Sequence, residues 1–180
     1  MPLVAEGDAT GHLAELFDLV KVATGLPFVP DVFRLASTRP DLVEVVVSGY
    51  GGVFLGGVLP RETKELIAAW TSKLNGCTYC LSAHNYFLKE LGVGADLPEA
   101  VGTATTIEEL PLPEKTRVLL RLTAKVATGA HRITDADWDR AVEAGWSSEE
   151  LLEAVFCSAL FNFVNGLVDA LGLRNAVQEA

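Results

Sequence analysis

The dipeptide Asn75-Gly76 separates two stretches of helical periodicity, and this turn constrains the fold more than any other feature of the chain. On its N-terminal side, Leu66, Ile67, Trp70 and Leu74 form an apolar stripe behind Leu59-Pro60-Arg61-Glu62, where proline marks a helix start. On its C-terminal side, Cys77-Thr78-Tyr79-Cys80-Leu81-Ser82-Ala83-His84 opens a second helical pattern that runs on through Leu88 and Leu91 to Gly92. Two helices joined this tightly fold back on each other as an antiparallel pair.

In the second helix Cys77, Cys80 and His84 stand at i, i+3 and i+7 on one face, so two of the three cysteines and one of the three histidines converge. Cys77 falls at the helix N-terminus, where unpaired N–H groups and the positive end of the macrodipole favour thiolate over thiol. Two cysteines one turn apart can close a disulfide, which makes reversible oxidation easy. Two other readings fit the same residues. The thiols can be structural, since buried cysteines behave as small hydrophobes. Alternatively, Cys77, Cys80 and His84 supply three metal ligands and a carboxylate the fourth, although no second Cys-x-x-Cys or His-x-x-x-His offers a closed site.

Glu65 lies on the preceding helix. With the hairpin folded at Asn75-Gly76, Glu65 is roughly 16 Å from the turn and His84 roughly 12 Å, at about 1.5 Å per residue, an offset that long side chains bridge. A carboxylate beside an imidazole fixes its tautomer, and an imidazole one turn beyond Cys80 can take that thiol's proton. Glu65, His84 and Cys80 therefore read as a proton relay; the plainer alternative is a solvated Glu65 paired with a lysine.

The remaining pattern is all-α. Leu13, Leu16, Phe17 and Val20 recur at helical spacing between Thr10 and Gly25, and a short helix follows Pro30-Asp31 as far as Ser37. Leu42, Val43, Val46, Val47, Tyr50 and Phe54 match a helix opened by Pro40-Asp41, although the β-branched content also suits a strand. A short helix and a loop occupy the stretch from Leu97-Pro98 to Thr106, and Pro113-Glu114 opens a helix carrying Val118, Leu119, Leu122 and Val126. Thr134-x-x-Asp137 and Ser147-x-x-Glu150 are capping boxes, the second starting a long helix through Leu151, Val155, Leu160, Phe163 and Leu167. At 180 residues the chain is expected to form one all-helical domain over 1–180.

A net charge of -10 and a pI near 4.7 exclude nucleic acid and anionic membrane surfaces as natural partners. The charge-free runs, Val45 to Leu59 and Ala154 to Val168, fall short of the roughly 20 residues of a membrane span and read as buried helices. Met1 to Thr10 carries Glu6 and Asp8 and shows no secretory signal, and three cysteines without a disulfide framework point to the reducing cytoplasm. Apolar residues reach 49% with a mean hydropathy of +0.30, more than one small core hides, so a homo-oligomer is expected. His12 and His131 read as surface residues and Cys157 as a core thiol. Asn162 and Asn165 read as satisfying buried contacts, and Trp70, Trp138 and Trp146 as core or interface anchors.

Glu65, eleven residues, Cys77-x-x-Cys80, three residues, His84, behind Leu59-Pro60-Arg61-Glu62, resembles the AhpD-like alkylhydroperoxidase group of the carboxymuconolactone decarboxylase superfamily. Phe28-Val29-Pro30-Asp31-Val32-Phe33-Arg34 with Arg39-Pro40-Asp41, and Phe161-Asn162-Phe163-Val164-Asn165 followed by Asp169-Ala170-Leu171-Gly172, resemble its peroxidase-related branch. The resemblance implies an AhpD-like helical bundle, assembly as trimers or hexamers, and peroxide reduction without metal, haem or other cofactor. It implies that Glu65 and His84 relay the proton of Cys80, that Cys80 attacks the peroxide, and that Cys77 resolves the sulfenic acid into a Cys77–Cys80 disulfide. An external dithiol, a lipoyl or thioredoxin-like protein, then reduces the bond. Helix-dipole reasoning alone favours Cys77 as the lower-pKa thiol. Where the best-studied branch has a histidine between the cysteines, this chain has Tyr79, which at an ordinary pKa near 10 is no base at pH 7.

Overall fold

The computed structural model describes residues 3–174; residues 1–2 and 175–180 of the expected 1–180 domain lie outside the described residues. Among the described residues nine α-helices follow in chain order: α1 (His12–Thr24), α2 (Asp31–Arg34), α3 (Pro40–Phe54), α4 (Arg61–Leu74), α5 (Thr78–Glu90), α6 (Asp96–Thr103), α7 (Glu114–Gly129), α8 (Asp135–Glu143) and α9 (Ser148–Ala170). Among the described residues there is no strand. The all-α expectation holds, including a helix over Pro40–Phe54, where β-branched residues left strand open. In that helix Val43, Val46, Tyr50, Val53 and Phe54 are buried at helical spacing, and packing of this face outweighs the weak strand preference of valine.

Helix α4 is the axis of the molecule. From Lys64 to Ser72 every residue is buried, because α5, α7 and α9 enclose it. Fully burying one leucine, isoleucine or phenylalanine side chain contributes about 1.5–3 kcal/mol, so this enclosure holds the hairpin in place. The hairpin turn is a Schellman ending. Gly76 takes the left-handed conformation (φ 75°), its N–H donates to the Lys73 carbonyl at 3.0 Å, and the Cys77 N–H donates to the Ser72 carbonyl at 2.9 Å. The motif that stops α4 thereby places Cys77 as the N-cap of α5, and the Cys-x-x-Cys pair lies at a helix start as expected.

Helix α9 is long and apolar enough by composition to cross a membrane, yet it runs through the core against α4 and α7 with Ser158 and Asn165 buried. The capping boxes at Thr134 and Ser147 both form. Three expectations shift in detail. The helix after Pro30 ends at Arg34 rather than Ser37, and Ser37 instead accepts the Val4 N–H at 2.8 Å. Trp70 and Trp146 are core residues, whereas Trp138 lies outward on α8, because Asp137 beside it is drawn inward to Lys125. Leu42 and Leu74, assigned to apolar stripes, lie at helix ends and are exposed.

Candidate active site

The α4–α5 hairpin brings Glu65 and His84 together. His84 Nδ1 donates to Glu65 Oε2 at 2.6 Å, and Arg61 Nε donates to Glu65 Oε1 at 2.7 Å from one turn earlier on α4. Glu65 has no solvent exposure, and a buried carboxylate persists there because two charge-assisted donors take up its oxygens. Arg61 continues the chain outward by donating to the Tyr50 hydroxyl at 3.1 Å, and its guanidinium lies 4.5 Å from the Phe54 ring centroid. Phe161 of α9 meets the His84 ring edge-on at 4.3 Å and locks its plane. With Nδ1 committed to Glu65, Nε2 is the free nitrogen.

His84 and Cys80, one turn apart on α5, line the same apolar pocket of about 40 Å³. Its other walls include Thr24, Pro30, Val32, Tyr79, Ala83 and Phe161. Cys77 does not reach this pocket and is fully buried behind it. The neighbouring Cys80 side chain and the backbone N–H of Cys80 at the helix start hold Cys77 below the ordinary thiol value against the cost of burial. The neighbouring Cys77 and burial raise Cys80 far above the ordinary value. Of the two, the inner sulfur is therefore the one that loses its proton first, as the helix dipole leads one to expect, while the outer sulfur meets the pocket.

Tyr79, between the cysteines, is buried and its hydroxyl accepts the Val32 N–H at 3.3 Å, tying α5 to the start of α2. Burial pushes its pKa up, so it stays a neutral phenol. Cys157 is fully buried; its thiol donates to the Lys64 carbonyl at 3.4 Å, and burial raises its pKa. His12 and His131 are exposed. Asn162 donates to the Val126 carbonyl and accepts from Asn75, as expected of a contact-satisfying amide, whereas Asn165 accepts from Ser72 Oγ but leaves its buried Nδ2 without a partner among the described residues. Among the described residues no three His, Cys, Asp or Glu side chains cluster as a metal site requires.

Sequence reasoning brought together Glu65, His84, Cys77 and Cys80 and overlooked Arg61 and Tyr50. The signal for Arg61 was present, since Arg61-x-x-x-Glu65 is an i, i+4 pair. Tyr50 gave none, standing in an apolar stripe where its hydroxyl is invisible.

Residues 40–101, from α3 into α6 and including all four of these residues, match the family model described as carboxymuconolactone decarboxylase family. The match covers 62 of the 180 residues, the stretch that holds the α4–α5 hairpin. In fold, the chain is similar along its length to a peroxidase-related protein from Ralstonia eutropha described as an alkylhydroperoxidase AhpD core. The TM-score is 0.86 at 24% identity, covering 97% of this chain and 90% of that one. A peroxidase-related protein from Silicibacter follows, with TM-score 0.79, 24% identity and coverage of 87% and 81%. The debrominase Bmp8 is similar as well, with TM-score 0.76, 22% identity and coverage of 94% and 88%; a cysteine-to-alanine variant of it is known in complex with 2,3,4-tribromopyrrole. No curated protein matches the chain.

Proposed function

We propose that the protein is a thiol peroxidase that reduces hydrogen peroxide or small organic hydroperoxides through a Cys77/Cys80 dithiol–disulfide cycle. The observation that carries this reading is the shared pocket: an oriented imidazole and a cysteine one turn away both border one small apolar cavity.

In the proposed cycle the Cys80 thiolate attacks the outer oxygen of the peroxide, the O–O bond breaks, and Cys80 becomes a sulfenic acid. The departing alkoxide or hydroxide takes the proton that His84 has received from the cysteine pair. Glu65 holds the imidazole in place through both proton transfers. Cys77 then attacks the Cys80 sulfur, forming the disulfide and expelling hydroxide, which leaves as water after taking the Cys77 proton. An external dithiol protein, lipoyl or thioredoxin-like, restores the two thiols and is itself oxidised. The cytoplasm supplies such reductants.

Pocket size supports a small substrate. A water needs about 10–15 Å³ of such space, so about 40 Å³ takes the two oxygens of a peroxide and a short substituent. A brominated aromatic ring needs more room. The groove between α3 and α9 supports assembly into a homo-oligomer. It combines small residues, Gly49 and Gly52, with exposed Leu152 and Phe156, so one face offers both hollow and knob to a second copy. A monomeric mass by light scattering would contradict that assembly.

The test of the function is turnover with a dithiol reductant. The parent protein should consume hydrogen peroxide faster than a bulky aryl hydroperoxide, and Cys80→Ser should fall to background while keeping its helical circular dichroism. Activity that survives alkylation of the thiols would instead assign lyase chemistry at the His84–Glu65 pair.

A further inference from the structure

A polar cleft of about 270 Å³ adjoins the peroxide pocket, and Thr24 and Phe87 border both spaces. The charged side chains lining the cleft are one cation and one anion, Arg61 and Glu90. The helix ends around it repeat that polarity: Arg61 is the first residue of α4, at the positive end of a dipole, whereas Thr24 and Glu90 are the last residues of α1 and α5, at negative ends. Arg61 is firmly held. Its Nε donates to Glu65 and its Nη2 to Tyr50, and its Cζ lies 4.5 Å from the Phe54 ring centroid and 5.8 Å from that of Phe87. A guanidinium carries five N–H donors, and among the described residues those of Nη1 have no acceptor. Glu65 divides its charge between Arg61 and His84, which leaves the guanidinium room for a second anion. The Glu90 side chain is exposed, and among the described residues no cation pairs with it.

We propose that this cleft binds the head of a free α-amino acid, its carboxylate on Arg61 and its ammonium on Glu90, and that the organic substrate is the side-chain hydroperoxide of an aliphatic amino acid such as leucine. The proposal rests on the peroxidase reading and names the substrate class of that site. A purely anionic head meets Glu90 and two negative helix ends, and a purely cationic head meets Arg61; a zwitterion finds a partner for each of its charges. In a chain of net charge -10, a carboxylate also needs a fixed local cation, which Arg61 is. The apolar side chain passes Thr24 and Phe87 into the pocket, where its hydroperoxide meets Cys80 and His84. The outer oxygen goes to the Cys80 sulfur, the O–O bond breaks, and the alkoxide takes the proton from His84 and leaves as a hydroxy amino acid. Cys80 and Cys77 supply the two electrons, and the head group keeps both charges throughout.

The test compares leucine hydroperoxide with two blocked forms, the N-acetyl derivative, which lacks the ammonium, and the amide, which lacks the carboxylate. In the parent, kcat/KM for the free amino acid should exceed that for either blocked form by about tenfold, the worth of one hydrogen bond to a charged group. Glu90→Gln should bring the ratio of free to N-acetyl substrate close to one, and Arg61→Lys the ratio of free to amide substrate. Reading ratios cancels any loss that Arg61→Lys causes through Glu65, and the Glu90 arm stands if that variant does not fold. The sign at Glu90 separates the proposal from a site for anions alone, where removing a carboxylate would improve both acids and leave their ratio in place. Blocked forms that react as well as the free amino acid, or a ratio that Glu90→Gln leaves unchanged or raises, would overturn the proposal. If the parent does not turn over any peroxide, the peroxidase reading fails, and calorimetry with leucine and N-acetylleucine still decides the cleft. Leucine binding that Glu90→Gln weakens about tenfold supports it, and equal binding of the two, or none, overturns it.

Discussion

Glu65 and Asp137 are both buried carboxylates whose oxygens are taken up by donors from their own helix and from a neighbouring one, and they do different things. Asp137 of α8 accepts from Lys125 Nζ at 2.6 Å on both oxygens, from the Thr134 N–H at 2.9 Å and its hydroxyl at 3.0 Å, and from Arg140. These donors, Lys125 foremost, hold its carboxyl well below the usual carboxylate range. Each of them ends its chain there: a surface depression borders Asp137, but its lining offers no thiol or imidazole. Glu65 also has its oxygens taken, yet one donor, His84, has a second nitrogen and borders a cavity shared with Cys80. A buried charge network therefore marks a working site only where one partner keeps an open valence toward a space that a reactant can enter; otherwise it is a clamp.

The comparison is sharpened most by neutralising each acid in turn. Glu65→Gln should lower peroxide turnover by about 10²–10⁴-fold, the usual worth of positioned acid–base catalysis. It should also destabilise the fold by about 3–5 kcal/mol, since Arg61 loses its buried counter-charge and His84 its carboxylate acceptor. Chemical denaturation and kinetics on the same preparation separate the two effects. Asp137→Asn should lower the melting temperature and leave turnover per folded molecule unchanged; a lost turnover there would break the distinction between site and clamp.

The clamp also has a pH signature. A carboxyl whose folded pKa lies below its ordinary value of 3.8 contributes stability that is present above that value and is lost as pH falls through the folded pKa. The stability gap between the parent and Asp137→Asn should accordingly be full at neutral pH and close on acidification below about pH 4. A gap that stays constant down to strong acid would show that Asp137 acts through shape and not charge. The smallest effect is expected at Cys157→Ala, which removes one buried sulfur and its bond to the Lys64 carbonyl. It should cost about 1 kcal/mol and leave turnover intact.

Much of this was legible in the chain because it depends on neighbours in sequence. Gly76 takes the left-handed conformation its place between two periodic stretches calls for, both capping boxes form, and the rise per residue sufficed to bring Glu65 to His84 across one turn. What was hidden depends on how distant elements roll against each other. Trp138 turns outward because Asp137 is anchored to α7, a pairing that no local pattern announces. The strand alternative for Val43 to Phe54 is removed only by the packing of that face into the core. The balance of charge between Cys77 and Cys80 was illegible for the same reason. The helix start pointed to Cys77, and the pocket that favours Cys80 is completed by Leu160, Phe161 and Val164 of α9, which is far away in sequence.

The central claim is that the outer and inner cysteines form one redox couple while the third is inert. The measurement that tests it most directly is a titration of the fully reduced protein with hydrogen peroxide, counting free thiols and mapping the products by mass spectrometry. The expected result is the loss of two thiols per chain, a bond between Cys77 and Cys80, and an untouched Cys157. Three thiols surviving an excess of peroxide, or a product that involves Cys157, would contradict it.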